Sequence, residues 1–130
     1  MMTDAISIAG SALSVHRAWL DAIADNIANV NTARSTSGNA FQARYIDAQE
    51  NPGTAGVHIA GATFGSAAGR VVHEPDNPLA DNAGNVRYPD IDLSTEMSSL
   101  IMAQRGYQAN AAVVDRAKTM YESALQIGKA

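Results

Sequence analysis

The Asp- and Asn-rich run from Asp76 to Asp92 is the first place where side chains could do chemistry, and that chemistry would be calcium binding. A helical-hand calcium loop needs oxygen ligands at alternate positions and a glycine at the sixth. Counted from Asp81, the third position is Ala83 and the sixth Val86; counted from Asp76, the third is Pro78 and the fifth Ala80. Neither frame fits, and Asn77-Pro78, Asp81-Asn82 and Ala83-Gly84-Asn85 read as turns. The three histidines, His16, His58 and His73, are not spaced four apart and form no H-E-x-x-H, so no metal site is expected. No serine lies in G-x-S-x-G. Gly61, Gly65 and Gly69 recur every four residues without the lysine of a phosphate loop, and read as a hairpin connection. With no cysteine, disulfides, thiolate metal sites and thiol nucleophiles are excluded. No acid, base and nucleophile converge, so neither an enzyme nor a cofactor is expected.

Composition narrows the partners. Nine Lys+Arg against thirteen Asp+Glu give a net charge of −4 with no basic block, which argues against nucleic acid or an anionic membrane. No apolar run approaches the ~18 residues of a membrane span. Asp4 and Ser7 interrupt the start of the chain, so no cleaved secretory signal is expected. Apolar residues make up 46% but aromatics only 5%, so any core is built on Ala, Ile, Leu and Val rather than on large rings.

The breakers divide the 130 residues into three. All four prolines lie between Pro52 and Pro89, and seven of the ten glycines between Gly38 and Gly84. The expected segments are an N-terminal helix within 1–32, a β or irregular middle over 33–92, and a C-terminal helix within 93–130. In the first, Ile6, Leu13, Leu20 and Ile27 are seven apart, and Ala9, His16, Ile23 and Val30 each follow three later. That is a heptad seam. Thr3 or Asp4 can cap the helix, and Asn29, Asn31 and Thr32 end it by competing for the backbone. In the third, Leu93, Leu100, Tyr107, Val114 and Tyr121 form one row, and Met97, Gln104, Ala111, Lys118 and Leu125 a second. Polar Gln104 and Lys118 within that second row would fix register. Asp92 or Ser94 is the expected N-cap, Glu96 suits the helix dipole, and Gly128 is the stop.

Both helices carry more apolar surface than one partner stripe can cover. Ile8, Ala12, Val15 and Trp19 form an extra row on the first, and Val113, Met120 and Ile127 on the second. Each large side chain left in water forgoes roughly 1.5–3 kcal/mol. Copies of the same chain are the simplest cover; the middle segment folding back is the alternative. The middle shows short alternations at Phe41–Tyr45, Val57–Ala60 and Val71-Val72, enough for a small antiparallel hairpin. From Pro75 to Pro89 it reads as irregular.

The run Asp25-Asn26-Ile27-Ala28-Asn29-Val30-Asn31-Thr32 resembles the Asn-Leu-Ala-Asn signature that closes the N-terminal helix of bacterial flagellar axial proteins. Glu74-Pro75-Asp76-Asn77-Pro78, then Tyr88-Pro89-Asp90-Ile91-Asp92 and Glu96-Met97, lead into Ala103-Gln104-Arg105-Gly106-Tyr107-Gln108-Ala109-Asn110 and Ala117-Lys118-Thr119-Met120. That order and spacing is similar to the FlgC-type proximal rod family. The likeness spans about residues 4–50 and 70–130. It departs after Thr32, where Ala33 to Ala40 precede Phe41 and several axial proteins continue directly into Gly-Phe.

The resemblance implies a mainly α fold, the N- and C-terminal helices paired as an antiparallel coiled coil around a small β middle. It also implies stacking with copies and with other flagellar rod and axial proteins into a shaft that transmits motor torque. Delivery would be by the flagellar type III export apparatus without a cleaved signal, and the location the basal body, within the cell envelope and periplasm. The intramolecular seam is expected at Ile6, Leu13, Leu20, Ile23, Ile27, Leu100, Tyr107, Val114, Tyr121 and Leu125. Intersubunit packing is expected at Ile8, Val15, Trp19, Val113, Met120 and Ile127. The family motif maps to Asn26, Ala28, Asn29, Asn31, Thr32, Tyr107, Ala109 and Asn110, with Asn26, Asn29 and Asn31 fixing the helix end. Without the resemblance, a secreted helical hairpin that binds a partner helix, or an export chaperone, fits the same pattern.

Overall fold

A computed structural model describes residues 2–129. Met1 and Ala130, the outer limits of the first and third expected segments, lie outside the described residues. Two long helices and five strands follow in the order α1, Met2–Ala28; β1, Arg34–Ser35; β2, Arg44–Glu50; β3, Val57–Phe64; β4, Arg70–His73; β5, Asn85–Tyr88; and α2, Leu93–Ile127.

The helix ends follow local chemistry. Thr3 and Asp4 lie inside the first turn of α1 rather than capping it, because the helix already begins at Met2. At its other end the Asn29 side-chain amide donates to the Asp25 carbonyl at 2.9 Å, beside the Asn29 backbone N–H, which reaches the same carbonyl at 3.1 Å. α2 starts at an Asp92 cap, whose carboxylate accepts from the Ser94 N–H at 3.1 Å and from the Thr95 hydroxyl at 2.6 Å. Glu96 lies in its first turn. Gly128 follows the last helical residue with a right-handed φ of −71°, its N–H donating to the Ala124 carbonyl. The glycine therefore ends α2 without a left-handed turn.

The middle holds two separate sheets. β2 and β3 form an antiparallel hairpin in which Asp47 pairs with Gly61 and Ala48 with Ile59, leaving Ala60 as the extra residue of a bulge. β1, β5 and β4 form a three-stranded sheet with β5 at its centre. β5 corrects the expectation of irregular chain from Pro75 to Pro89. Only four residues long, it alternates polar Asn85 and Arg87 with Val86 and Tyr88, too short a pattern to stand out among turns. Val86 is fully buried. The loop before it closes on Asp81, whose carboxylate accepts from the N–H groups of Ala83 and Asn85 at 2.9 Å and from the Thr36 hydroxyl at 2.8 Å.

α1 and α2 pack against each other through small residues. The buried apolar side chains of the helices are Ala9, Val15, Ala22 and Ile23 on α1, and Ala103 and Ala117 on α2. The large apolar residues Ile6, Leu13, Leu20, Ile27, Leu100 and Val114 are half-buried. The second α2 row of the sequence reading is therefore displaced by one residue. Glu96, Ala103 and Ala117 are buried, whereas Met97, Gln104 and Lys118 are exposed. Gln104 and Lys118 thus stand in water and do not interrupt a buried seam.

Candidate assembly surface

Three elements converge on Asn26, which is 0% exposed. Its Oδ1 accepts from the Arg44 N–H at 2.9 Å and its Nδ2 donates to the Arg44 carbonyl at 3.0 Å. The side chain thus pairs with the first residue of β2 as a neighbouring strand would. The same Nδ2 reaches Glu96 Oε2 on α2 at 3.3 Å. Glu96 is 4% exposed, a buried carboxylate met by an amide. One asparagine near the end of α1 therefore positions the root of the hairpin and the first turn of α2. Arg44 adds an ion pair to Asp25 at 3.1 Å. Beside this joint Tyr45 has its hydroxyl pKa raised, by burial first and then by the charges of Glu96 and Asp90.

The hairpin also covers part of α1. Val15 and Trp19 line a cavity of about 190 Å³ with Ile46 and Ala48 of β2. Val15 is buried and Trp19 half-buried there, on a stripe expected to face other subunits. The far end of the hairpin is fastened where the Val57 N–H donates to Ser11 Oγ at 3.0 Å. Gly56 lies over the same serine with φ +80°, and a Cβ on it would come within 2.2 Å of Ser11 Oγ.

The three-stranded sheet is held by charged and polar contacts. The Tyr88 hydroxyl donates to both Glu74 oxygens, at 3.2 and 3.0 Å, which raises its pKa. The Arg70 guanidinium lies 5.3 Å from the Tyr88 ring centre. Arg87 donates to the carbonyls of Thr36 and Ala68, tying the loop ends to β5.

The remaining motif and seam residues spread over different surroundings. Ile23 is buried, while Ile6, Leu13, Leu20, Ile27, Leu100 and Val114 are half-buried. Tyr107, Tyr121 and Leu125 are exposed, as are Ile8, Val113, Met120 and Ile127. Asn29 accepts from the Thr32 hydroxyl at 3.1 Å; Asn31, Ala28 and Ala109 are exposed, and Asn110 donates to the Gly106 carbonyl at 2.8 Å. His16 donates from Nδ1 to the Ala12 carbonyl at 2.8 Å and sets its ring against Gly106. Sequence reasoning missed the roles of Glu96 as a buried partner and of Gly106 as a notch. Gly106 did carry a signal: it is the lone glycine between Leu93 and Ile127, where a helix normally excludes one. Among the described residues no cluster of three or more His, Cys, Asp or Glu could hold a metal ion. No described helix is long and apolar enough to cross a membrane.

Most of the exposed large apolar side chains lie on α2, with Phe64 and Val71 exposed on the strands. Met102 is 63%, Met120 60% and Ile127 78% exposed, and Met97, Ile101 and Val113 are exposed beside them. Among the described residues no element covers them fully.

Residues 6–34 match the family model described as flagella basal body rod protein, and residues 82–127 the one described as flagellar basal body rod FlgEFG protein C-terminal. The chain is 37% identical over 126 residues to the flagellar basal-body rod protein FlgC of Escherichia coli O6:H1, with 94% of each chain covered. It is 36% identical to FlgC of Salmonella typhimurium over 126 residues, and 29% identical to FlgC of Borreliella burgdorferi over 143 residues, again with 94% of each chain covered. Helices at both ends, an asparagine joint between them and an outward apolar face thus occur in a chain that belongs to the FlgC-type flagellar basal-body rod proteins, as a structural subunit of the proximal rod.

Proposed function

We propose that this rod subunit works by packing alone: α1 and α2 pair as an antiparallel coiled coil, and the outer face of α2 packs on neighbouring rod subunits to build a shaft that carries motor torque. Two contacts support the pairing. Asn26 meets Glu96 and His16 meets Gly106, ten residues apart on each helix and in opposite order. The observation that carries the packing is the row of exposed Val113, Met120 and Ile127 on a helix that buries only Glu96, Ala103 and Ala117. Left in water, each such side chain forgoes roughly 1.5–3 kcal/mol that a neighbour would recover. Contacts of this kind between different patches do not close on themselves, and they propagate a filament. Stiffness follows from long helices sharing long seams.

On this reading 1–32, 33–92 and 93–130 act as coiled-coil helix, spacer and second coiled-coil helix. The chain reaches the periplasmic part of the basal body through the flagellar type III export apparatus without a cleaved signal, and it uses no cofactor and catalyses nothing. Its partners are other copies and other axial proteins. Tyr121 and Leu125, exposed within the single chain, join the intersubunit face together with Ile8. Val15 and Trp19 brace the hairpin instead.

The test is Val113→Glu. It places a charge on a side chain that is 46% exposed in the single chain, at the edge of the face that meets α1. Export should continue while rod assembly and swimming are lost. Normal swimming would contradict the packing surface.

A further inference from the structure

The contact between α1 and α2 is poor in features that fix one helix along the other. Ile6, Leu13, Leu20 and Ile27 are half-buried on α1 at heptad spacing, as are Leu100 and Val114, fourteen apart on α2, where the buried Ala103 and Ala117 are also fourteen apart. Sliding such a seam by one heptad, about 10 Å, exchanges one apolar contact for another. Two places resist that slide.

The first is a knob in a notch. His16 Nδ1–H donates to the Ala12 carbonyl at 2.8 Å, which holds the ring against its own helix and turns Nε2 toward α2. There it meets Gly106, where an added Cβ would lie 2.2 Å from Nε2. One heptad away on either side stand Ser99 and Val113, whose side chains would fill the notch. The second is polar. Asn26 is already bound to both backbone groups of Arg44, so only its remaining N–H is free to select a partner, and it selects Glu96 at 3.3 Å. One heptad from Glu96 stand Pro89 and Ala103, whose side chains accept no hydrogen bond.

We propose that His16 in the Gly106 notch and Asn26 on Glu96 together set the axial register of α1 against α2, and so fix how far α2 projects past α1. The proposal rests on the antiparallel pairing above. Both contacts select the same alignment, because they are ten residues apart on each helix. In that alignment Met2, the first residue of α1, stands level with Met120, and the last turns of α2 through Ile127 extend beyond it. Every described residue from Tyr121 onward is exposed, as a projecting end requires. A slip of one heptad would lengthen or shorten the projection by about 10 Å. The face offered to the next subunit would then sit at the wrong height. Polar groups that specify register at some cost in stability are known in coiled coils. Here a glycine notch shares that task with a buried amide.

The chain has no cysteine, so paired cysteines report register without background. Arg17 and Gln104 are exposed and one residue from level in the native alignment; Arg17 and Ala111 come within one residue of level only after a one-heptad slip. In full chains assembled into purified basal bodies, a short bis-maleimide should bridge Arg17→Cys to Gln104→Cys within one chain and leave Arg17→Cys with Ala111→Cys unbridged. Adding His16→Ala and Gly106→Ala should reduce the native product and bring up the shifted one. Glu96→Ala should do the same, and Glu96→Gln, which keeps an acceptor oxygen, should restore the native pattern. Should a variant fail to enter basal bodies, the bridging pattern is read in the purified full chain, with His16→Ala alone as the mildest change. Retention of the native product alone in both the His16 and the Glu96→Ala variants overturns the register proposal and leaves the pairing intact. A parent chain that bridges both cysteine pairs, or neither, overturns the pairing and the register proposal with it.

Discussion

α1 and α2 are built from similar residues but differ in how much of themselves the chain hides. α1 is met on one side by α2 and on another by the β2–β3 hairpin, and it buries Ala9, Val15, Ala22, Ile23 and Asn26 over 27 residues. α2 is longer, at 35 residues, and buries only Glu96, Ala103 and Ala117. The difference teaches that the two helices complete their packing at different stages. α1 is largely finished within the chain, with Ile8 left open, whereas α2 is half of an interface. Hydrophobic burial can stabilise a helix only where a partner surface exists, so the exposed face of α2 locates the missing partner.

That contrast can be broken most severely at the joint. Asn26→Ala strands the Arg44 N–H, the Arg44 carbonyl and the Glu96 carboxylate, and should cost about 3–5 kcal/mol in the stability of the full chain, as the sum of two or three buried groups left unpaired. Urea unfolding followed by circular dichroism measures it. Next comes a matched pair of truncations. Ile23→Ala, on the covered side of α1, should cost about 2–4 kcal/mol. Met120→Ala, on the open side of α2, should change the isolated chain by no more than about 0.5 kcal/mol. Incorporation into rods should reverse part of that order, because Met120 acquires neighbours only there. If Met120→Ala destabilised the isolated chain as much as Ile23→Ala, α2 would already be covered.

A smaller effect comes from pH. Asp81 is held below the usual carboxylate range chiefly by the Asn85 N–H, with the Thr36 hydroxyl next. Asp92 is held there chiefly by the Thr95 hydroxyl, with the Ser94 N–H next. A carboxylate lowered in the folded state binds its proton more readily when unfolded. The stability it contributes is therefore complete above the ordinary value of 3.8 and is lost as pH falls through and below it. Thermal unfolding between neutral pH and pH 3 should show this loss, and Asp81→Asn with Asp92→Asn should flatten it. The smallest effect is expected at Lys118 and Glu122, 3.9 Å apart and both well exposed on α2. Replacing either in the isolated chain should leave its unfolding midpoint unchanged, since such pairs contribute at most about 1 kcal/mol and often nothing measurable.

Much of this arrangement is legible in residue spacing, and the part that is not has a physical cause. Heptads announce both helices, and Asp92 announces the start of α2, because both signals are local. The buried face of α2 is harder to read. Rows three and four residues from Leu100 are both compatible with a seam, and the larger side chains of Met97 and Leu125 favour the wrong one. The true row is small: Ala103 and Ala117 are buried, and alanine carries too little bulk to mark a seam by itself. Strand β5 escapes notice because its ladder is non-local, with β1 some fifty residues earlier and β4 across the Asp81 turn. The asparagine signature shows itself as a helix end, but its bonds to Arg44 and Glu96 join positions 18 and 70 residues away, which no local pattern encodes. The resemblance to rod proteins was carried by the motifs at the two ends, and the matched family models fall there as well.

Amide hydrogen exchange, followed by mass spectrometry on the isolated full chain and on purified basal bodies, tests most directly whether α2 is completed by assembly. Peptides spanning Ala9 to Asn26 should be protected in both preparations. Those from Val113 to Ile127 should exchange rapidly in the isolated chain and become strongly protected in basal bodies. Equal protection of that C-terminal stretch in both would mean that α2 needs no neighbour to finish folding, and would contradict the account.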